Sequence, residues 1–424
     1  MIAAFVLVLI SLIILGLPLF AGILAAAMIG LHVSQVDFAA ITIDIYRLAN
    51  APVLLAIPLF TFAGYLLAEG DTSKRLVRFS KSLLGWMPGG LGVVALVTCA
   101  FFTALTGATG VTIIALGGLL LPALISEKYS ENFSLGLMTT TGSLGLHFPP
   151  SLPIILYGFV SGTSIEQLFV GGLLPGALMV VVPCIFAVYM GMKWKLDRPL
   201  FSGKEFVSAL RMAAWELPIP IFIIAGIYSG FSTATEAAAL TVGYILFIKI
   251  VVFKEIKMGS DLPRIMIESS KMVGGIMIIL GAALAFTNYL VDAFIPAKIL
   301  EIMEGMVGSK IGFLLILNVF LLLVGCMMDI FSAILVVVPL IVPLASRFGI
   351  DPVHLGIIFL ANLGIGYNTP PVGLNLFIAS SRFDRPIMQL YRATLPFLLC
   401  LIFTLLLITY WPALSLFLPG FIRQ

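Results

Sequence analysis

The sequence predicts an all-α, polytopic membrane protein built from two inverted repeats, each holding a re-entrant helical hairpin and a discontinuous helix. Composition is the first reason: 61% of the 424 residues are apolar, only 10% are charged, and the mean hydropathy is +1.18. An average soluble domain carries about 25% charged residues, whereas runs of roughly 20 apolar residues match the thickness of a bilayer. The second reason is a pair of stretches that answer each other inside long apolar segments, Gly145-Leu-His-Phe-Pro149-Pro150 and Gly366-Tyr-Asn-Thr-Pro370-Pro371. Adjacent prolines break a helix and free backbone carbonyls, which hydrocarbon tolerates only where they line a polar cavity or bind something. Third, a shift of 221 residues maps Pro122 on Pro343, Gly145 on Gly366 and Pro149-Pro150 on Pro370-Pro371 without a gap.

Taken in order, residues 1–49 form an N-terminal scaffold span. Its opening Met1-Ile-Ala-Ala-Phe-Val has no charged n-region and no A-x-A site, so the 2–31 run reads as retained, with a break at Leu17-Pro18. Repeat 1 covers 50–191. A span at 52–70 leads to 72–84, where Lys74, Arg75, Arg78 and Lys81 oppose Leu76, Val77, Leu83 and Leu84. That stretch is either an arm lying in the headgroup plane or a solvated loop. The segment 88–125 has a polar centre, Thr103-Ala-Leu-Thr106-Gly107-Ala-Thr109-Gly110, and precedes the broken helix 133–160 and a span at 168–191. Central scaffold spans at 213–230 and 235–253 lie within 192–266. Repeat 2 covers 267–418: a span at 267–291, a matching arm at 292–306 (Asp292, Lys298, Glu301, Glu304 against Ile295, Ile299, Ile302), the segment 310–346, the broken helix 352–380, and a last span at 391–418. The centre of 310–346 is Gly325-Cys-Met-Met-Asp329-Ile-Phe-Ser332, and the same shift sets Ala108 on Asp329 and Thr109 on Ile330. Each polar-centred segment either crosses once at a steep tilt or enters and returns. Non-helical backbone at that depth must be covered by protein or face water, which favours the hairpin.

Charge placement orients the repeats. Lys74/Arg75/Arg78/Lys81, Lys193/Lys195/Arg198/Lys204/Arg211, Lys254/Lys257/Arg264 and Arg382/Arg385 all fit one, cytoplasmic, side. The first hairpin then opens from the cytoplasm and the second from outside, the inverted arrangement of many secondary transporters. A net charge of +3 is too small to suggest a nucleic-acid partner. Cys99, Cys184, Cys326 and Cys400 lie singly in apolar surroundings, as do His32, His147 and His354, so neither a disulfide frame nor metal catalysis has support. No catalytic motif and no phosphate-cradling loop occurs, so the reading is of a non-enzyme driven by an ion gradient.

Asp329 is the most costly residue, since a carboxylate at the bilayer centre costs about 2.5–3.5 kcal/mol on insertion scales. It either supplies oxygen to a small hard cation with Gly325 and Ser332, or caps a helix at the hairpin tip, and the two roles are compatible. Thr103, Thr106 and Thr109 offer hydroxyls on one helical face, with Gly107 beside them, opposite the break Gly142, Ser143, Gly145 and Pro149. These residues form a first predicted sodium site. Gly364, Gly366, Asn368 and Thr369 opposite Gly325, Asp329 and Ser332 form the second. Between them lies one substrate pocket, assigned to Thr106, Ala108, His147, Ser151, Asp329 and Asn375, with His147 equally readable as structural. The half-helix after each Pro-Pro points its positive end at the break, which favours a carboxylate solute. Glu236, in Ser232-Thr-Ala-Thr235-Glu236-Ala, reads as a helix cap.

Four motifs carry a resemblance: Thr369-Pro-Pro-Val-Gly-Leu-Asn-Leu-Phe377, Leu144-Gly-Leu-His-Phe-Pro-Pro-Ser-Leu-Pro153, Pro58-Leu-Phe60 with Gly64, and Phe231-Ser-Thr-Ala-Thr-Glu-Ala-Ala-Ala239. They resemble the large membrane (M) subunit of tripartite ATP-independent periplasmic (TRAP) transporters along the whole chain. The resemblance implies an elevator-type fold of the ion-transporter superfamily in the bacterial inner membrane, with sodium as coupling ion. It also implies a separate small four-helix membrane subunit (Q type), a periplasmic substrate-binding protein (P type), and solutes such as C4-dicarboxylates, sialic acids and other sugar acids. The chain departs from the family at Thr106-Gly-Ala-Thr109, where a serine-rich tip is usual, at Ala234, where proline is usual, and at His147. A stand-alone divalent-anion/sodium symporter and a channel are the alternatives.

Overall fold

The computed structural model describes residues 11–12, 17–196, 199–294 and 309–421. The predicted second arm, 292–306, falls almost wholly outside them, as does Arg198. Among the described residues every regular element is helical, and seven helices are long and apolar enough to cross a membrane. The count is eight if the pair Glu131–His147 and Leu152–Ser161, bent by 47°, is one broken span.

The described part of the N-terminal segment is two helices: α1 (Leu19–Val33) starts directly after Pro18, and a turn separates it from α2 (Ala39–Ala49). After α3 (Ala56–Ala68) comes α4 (Thr72–Leu84), the bounds expected for the first arm. The first hairpin is α5 (Gly90–Thr106) and α6 (Thr109–Ser126); the first broken helix is α7 (Glu131–Thr140), a 3-10 turn over Thr141–His147, and α8 (Leu152–Ser161). Helices α9 (Ile165–Gly171) and α10 (Leu173–Lys193) close the first repeat. The centre holds α11 (Gly203–Ala213), α12 (Ile219–Tyr228) and α13 (Ala234–Leu246), which runs into a π-turn at Phe247–Val252. The capping box expected at Glu236 is present, pairing Thr233 and Glu236. Repeat 2 supplies α14 (Asp261–Asp292), the hairpin α15 (Lys310–Met327) and α16 (Ile330–Arg347), the broken helix α17 (Pro352–Gly366) and α18 (Leu374–Phe383), then α19 (Ile387–Tyr410) and α20 (Ala413–Gly420).

The helix ends keep the sequence register: α6 and α16 begin at 109 and 330, end at 126 and 347, and α7 and α17 begin at 131 and 352. In each repeat the outgoing hairpin arm packs on its own broken helix, α5 on the 3-10 turn and α15 on α17. The return arms are exchanged, α6 packing on α18 and α16 on α8. Arg385, past the end of α18, pairs with Glu131 at the start of α7 at 2.7 Å. One broken helix therefore starts on the side where the other finishes, as inversion requires.

The predicted cytoplasmic clusters converge through ion pairs. Arg78 meets Glu205, Lys81 meets Glu127 and Arg264 meets Glu69 at 2.7–2.9 Å. Arg75 has left the surface: its guanidinium binds Glu216 and Glu255 and covers the Phe253 ring at 3.8 Å. Lys249, wholly buried because the π-turn rotates it inward, donates to Glu255, Thr72 and the Glu69 carbonyl at 2.6–2.7 Å. Two cations and two carboxylates thus lock α4 to the central helices.

Candidate functional site

The two hairpin tips and the two helix breaks meet through glycine. A Cβ on Gly145 would stand 2.3 Å from the Ala100 carbonyl and 2.6 Å from the Ala104 nitrogen. One on Gly366 would stand 2.5 Å from the carbonyl carbon of Gly325, the residue that the 221-residue shift pairs with Ala104. The same backbone-to-backbone approach is built twice. Gly107 turns the first tip with φ +67°, a conformation that side chains disfavour. Both Pro-Pro bonds, Pro149-Pro150 and Pro370-Pro371, are cis.

Around the first tip, the hydroxyls of Thr103 and Thr112 pair at 2.7 Å and Thr103 donates to the Gly142 carbonyl at 3.2 Å. The Thr109 carbonyl faces Gly142, 3.0 Å from where its Cβ would be. Thr106 donates to its own helix at Phe102, a back-bond that leaves its oxygen lone pairs as the part of the hydroxyl still available. Its carbonyl is pressed against Gly64 of α3, 2.5 Å from a built Cβ. Around the second tip, Asp329 takes the capping role: Oδ1 accepts from the Phe331 and Ser332 amides at 3.0 Å, and Oδ2 accepts from the Ser332 hydroxyl. Thr369 also back-bonds, to Ile365. The break folds over the tip through Gly373 N–H to the Cys326 carbonyl at 2.9 Å and through Tyr367, whose hydroxyl accepts from the Ile330 amide.

The predicted groups share a wall. Asn368 Nδ2 donates to Ser143 Oγ at 2.9 Å and to the Gly364 carbonyl at 3.1 Å, while its Oδ1 accepts from Asn375 at 3.1 Å. Residues assigned to two separate sites are therefore one connected polar cluster. His147 lies on the α10 side of the break, with both ring nitrogens buried and without a hydrogen-bond partner among the described residues. His147 is fully buried, its Cβ lies 2.9 Å from a Cβ built on Gly176 of α10, and a Cβ on Gly172 would meet its carbonyl at 2.4 Å. Gly172, just before α10, and Gly176 on α10 admit it on that side of the break. Sequence reasoning missed Thr112, Tyr367 and Lys249. A lone lysine in the apolar run 235–253 was a readable signal, whereas nothing local marks Tyr367.

Four helix N-termini converge here, and three lack a side-chain cap: α6 after Ala108, α8 after Ser151 and α18 after Gly373. Asp329 occupies the amides of α16, and in α18 the Asn375 amide donates to the Tyr367 carbonyl at 3.1 Å, which leaves α6 and α8 with open first turns. Ser151 Oγ and Asn375 Oδ1 are buried without a hydrogen-bond partner among the described residues, although such atoms are nearly always satisfied. The donor set is carbonyls, hydroxyls and one carboxylate, the chemistry of a hard cation, beside the uncapped starts of α6 and α8, which suit an anion.

A family model, the DctM component of the tripartite ATP-independent periplasmic transporter, matches residues 2–414. The chain belongs to this family. It is similar to the C4-dicarboxylate TRAP transporter large permease protein DctM of Pseudomonas aeruginosa, 34% identical and covering 90% of each chain. It is also similar to the ectoine large permease TeaC of Halomonas elongata, 32% identical and covering 96% of each. The isethionate permease DctMQ of Oleidesulfovibrio alaskensis is 35% identical over 96% of this chain, which spans 63% of that relative's length. The crystal structure of the Alcanivorax borkumensis YdaH transporter matches with a TM-score of 0.62 over 89% of this chain and 88% of that one, at 13% identity, a likeness of fold. The chain is thus a multi-pass large permease subunit of a TRAP transporter.

Proposed function

We propose that this permease imports an oxyanionic solute, most simply a carboxylate, against its gradient by coupling to sodium. A periplasmic binding protein delivers the solute and a small membrane subunit braces the permease in the bacterial inner membrane. The observation that supports an anion is the pair of uncapped helix N-termini, of α6 and α8, beside buried Ser151 and Asn375 side-chain oxygens that lack a partner among the described residues. The carbonyls of Gly142, Thr109 and Gly364, with Ser143, Ser332 and Asp329, are the oxygens that would hold sodium on either side of the Asn368 bridge. C4-dicarboxylates and isethionate, named for two relatives, are oxyanions, and ectoine, named for a third, carries a carboxylate. The helices packed around the two hairpins would travel as one body past α3 and α14 in an elevator motion, with α4 held to the static part by the Arg75–Lys249 cluster.

The test is uptake into proteoliposomes holding the permease and its small subunit, with and without the binding protein, across a panel of acidic solutes. Accumulation should require both an inward sodium gradient and the binding protein. Uptake without the binding protein would favour a stand-alone symporter, and flux without a sodium gradient would favour a channel.

A further inference from the structure

A cavity of about 480 Å³ opens between α6 of the first hairpin and α18 of the second broken helix, lined by Ile114, Phe377, Ile378, Ser381 and Arg382. Its chemistry is graded. Ile114 and Phe377 are half exposed at 50% and 49%, so the wall nearer the helix break is apolar, while Ser381 and Arg382 make the other end polar. Arg382 Nε donates to the Ile114 carbonyl at 3.0 Å, and no carboxylate pairs with this guanidinium among the described residues. Gly118 on α6 makes room for it, since a Cβ there would stand 2.1 Å from Nη2. Arg382 lies eight residues past Leu374, the start of α18, so about 12 Å along the helix from the break. That is most of half a hydrocarbon core of about 30 Å, and the long arginine side chain covers the rest, which sets the guanidinium near headgroup depth on the side of the Arg385–Glu131 pair.

We propose that this cavity binds an anionic phospholipid, its phosphate on Arg382 and Ser381 and an acyl chain along Ile114, Phe377 and Ile378. The arginine fork takes phosphate oxygens two at a time, and the apolar wall selects an amphiphile over a hydrated free anion. Because α6 and α18 belong to different repeats, the lipid bridges the first hairpin to its neighbour and makes the hairpin's freedom depend on membrane composition. This site is independent of which solute the permease carries.

The test places a fluorescent reporter in the wall by Phe377→Trp and reconstitutes the full chain with phosphatidylglycerol or phosphatidylcholine carrying brominated acyl chains. Quenching is read in excess of the parent protein, which has four tryptophans. Brominated phosphatidylglycerol should quench at lower mole fraction than brominated phosphatidylcholine. Adding Arg382→Gln should weaken that preference about fivefold, the worth of one arginine at an anionic membrane surface. Gly118→Leu, which expels the guanidinium without removing it, should weaken it similarly and decides the matter where Arg382→Gln does not fold; Arg382→Lys should keep most of it. Equal quenching by both lipids, or an unchanged preference in Arg382→Gln or Gly118→Leu, overturns the proposal. Loss of the preference on adding inorganic phosphate overturns it in favour of a free-anion site.

Discussion

Gly366→Ala tests the close approach of hairpin and break most directly. The added methyl would meet Gly325 backbone atoms at 2.5 and 2.6 Å and the Cys326 nitrogen at 2.9 Å, all main chain, so no rotamer change relieves it. To reach an ordinary contact of 3.4 Å the α15 tip must recede about 0.9 Å, an overpacking that costs about 1–3 kcal/mol. That retreat stretches the 2.9 Å bond from Gly373 N–H to the Cys326 carbonyl and carries Asp329, three residues on, away from the Gly364–Thr369 side. The expected result is folded protein with a lowered melting temperature and a raised sodium concentration for half-maximal uptake in proteoliposomes. Gly364→Ala is the internal control: two residues away on the same helix, its Cβ finds nothing nearer than 3.5 Å, so both readouts should stay near wild type. Wild-type sodium dependence in Gly366→Ala, or equal damage from Gly364→Ala, would refute the reasoning.

Asp329→Ala removes a helix cap worth about 0.5–2 kcal/mol and the carboxylate of the proposed cation site, so sodium-driven uptake should fall sharply while membrane insertion persists; unchanged sodium dependence would remove Asp329 from coupling. Asn368→Ala should uncouple the two halves of the cluster by deleting its bonds to Ser143 and Gly364, seen as reduced uptake with the protein still folded by thermal unfolding. Arg75→Ala strands the Glu216 carboxylate in a buried site, leaving Glu255 to Lys249 alone, and should cost about 3–5 kcal/mol, whereas Lys74→Ala, an exposed pair with Asp71, should cost under about 1 kcal/mol; comparable melting temperatures would contradict the assignment. Burial works to raise the Glu255 carboxyl, but Arg75 and Lys249 outweigh it and hold it at about 2, below the ordinary 4.5. A depressed acid lends stability that is complete above 4.5 and lost as pH falls toward 2, so the melting temperature in detergent should drop across that window in wild type and less in Glu255→Gln.

Local backbone events were legible in the residues, and partner choices were not. The Pro-Pro breaks, the glycine at each tip, the α4 bounds and the offset between hairpins all follow from short-range sterics, which adjacent residues state directly. The Leu17-Pro18 break was legible too, and α1 starts directly after it, whereas the turn between α1 and α2 was not marked by hydropathy, which averages over a helix end. The second arm lies outside the described residues and is left as an expectation. Thr106 and Thr369 both bond back to their own helices, to Phe102 and Ile365, so spacing alone did not say which threonine hydroxyls stay open.

What the chain determined by itself is therefore its membrane class, its twofold internal repeat and the depth at which each helix fails, since composition, spacing and proline act within a few residues. Only the tertiary structure decided that Asn368 reaches across to Ser143, that Arg75 turns inward to Glu216 and Glu255, and that His147 leans on α10. Those outcomes depend on which segments, up to 225 residues apart, are brought within 3 Å of one another. A hydrogen bond falls off steeply beyond that range, so its partner is set by packing of the whole fold and not by the residues on either side.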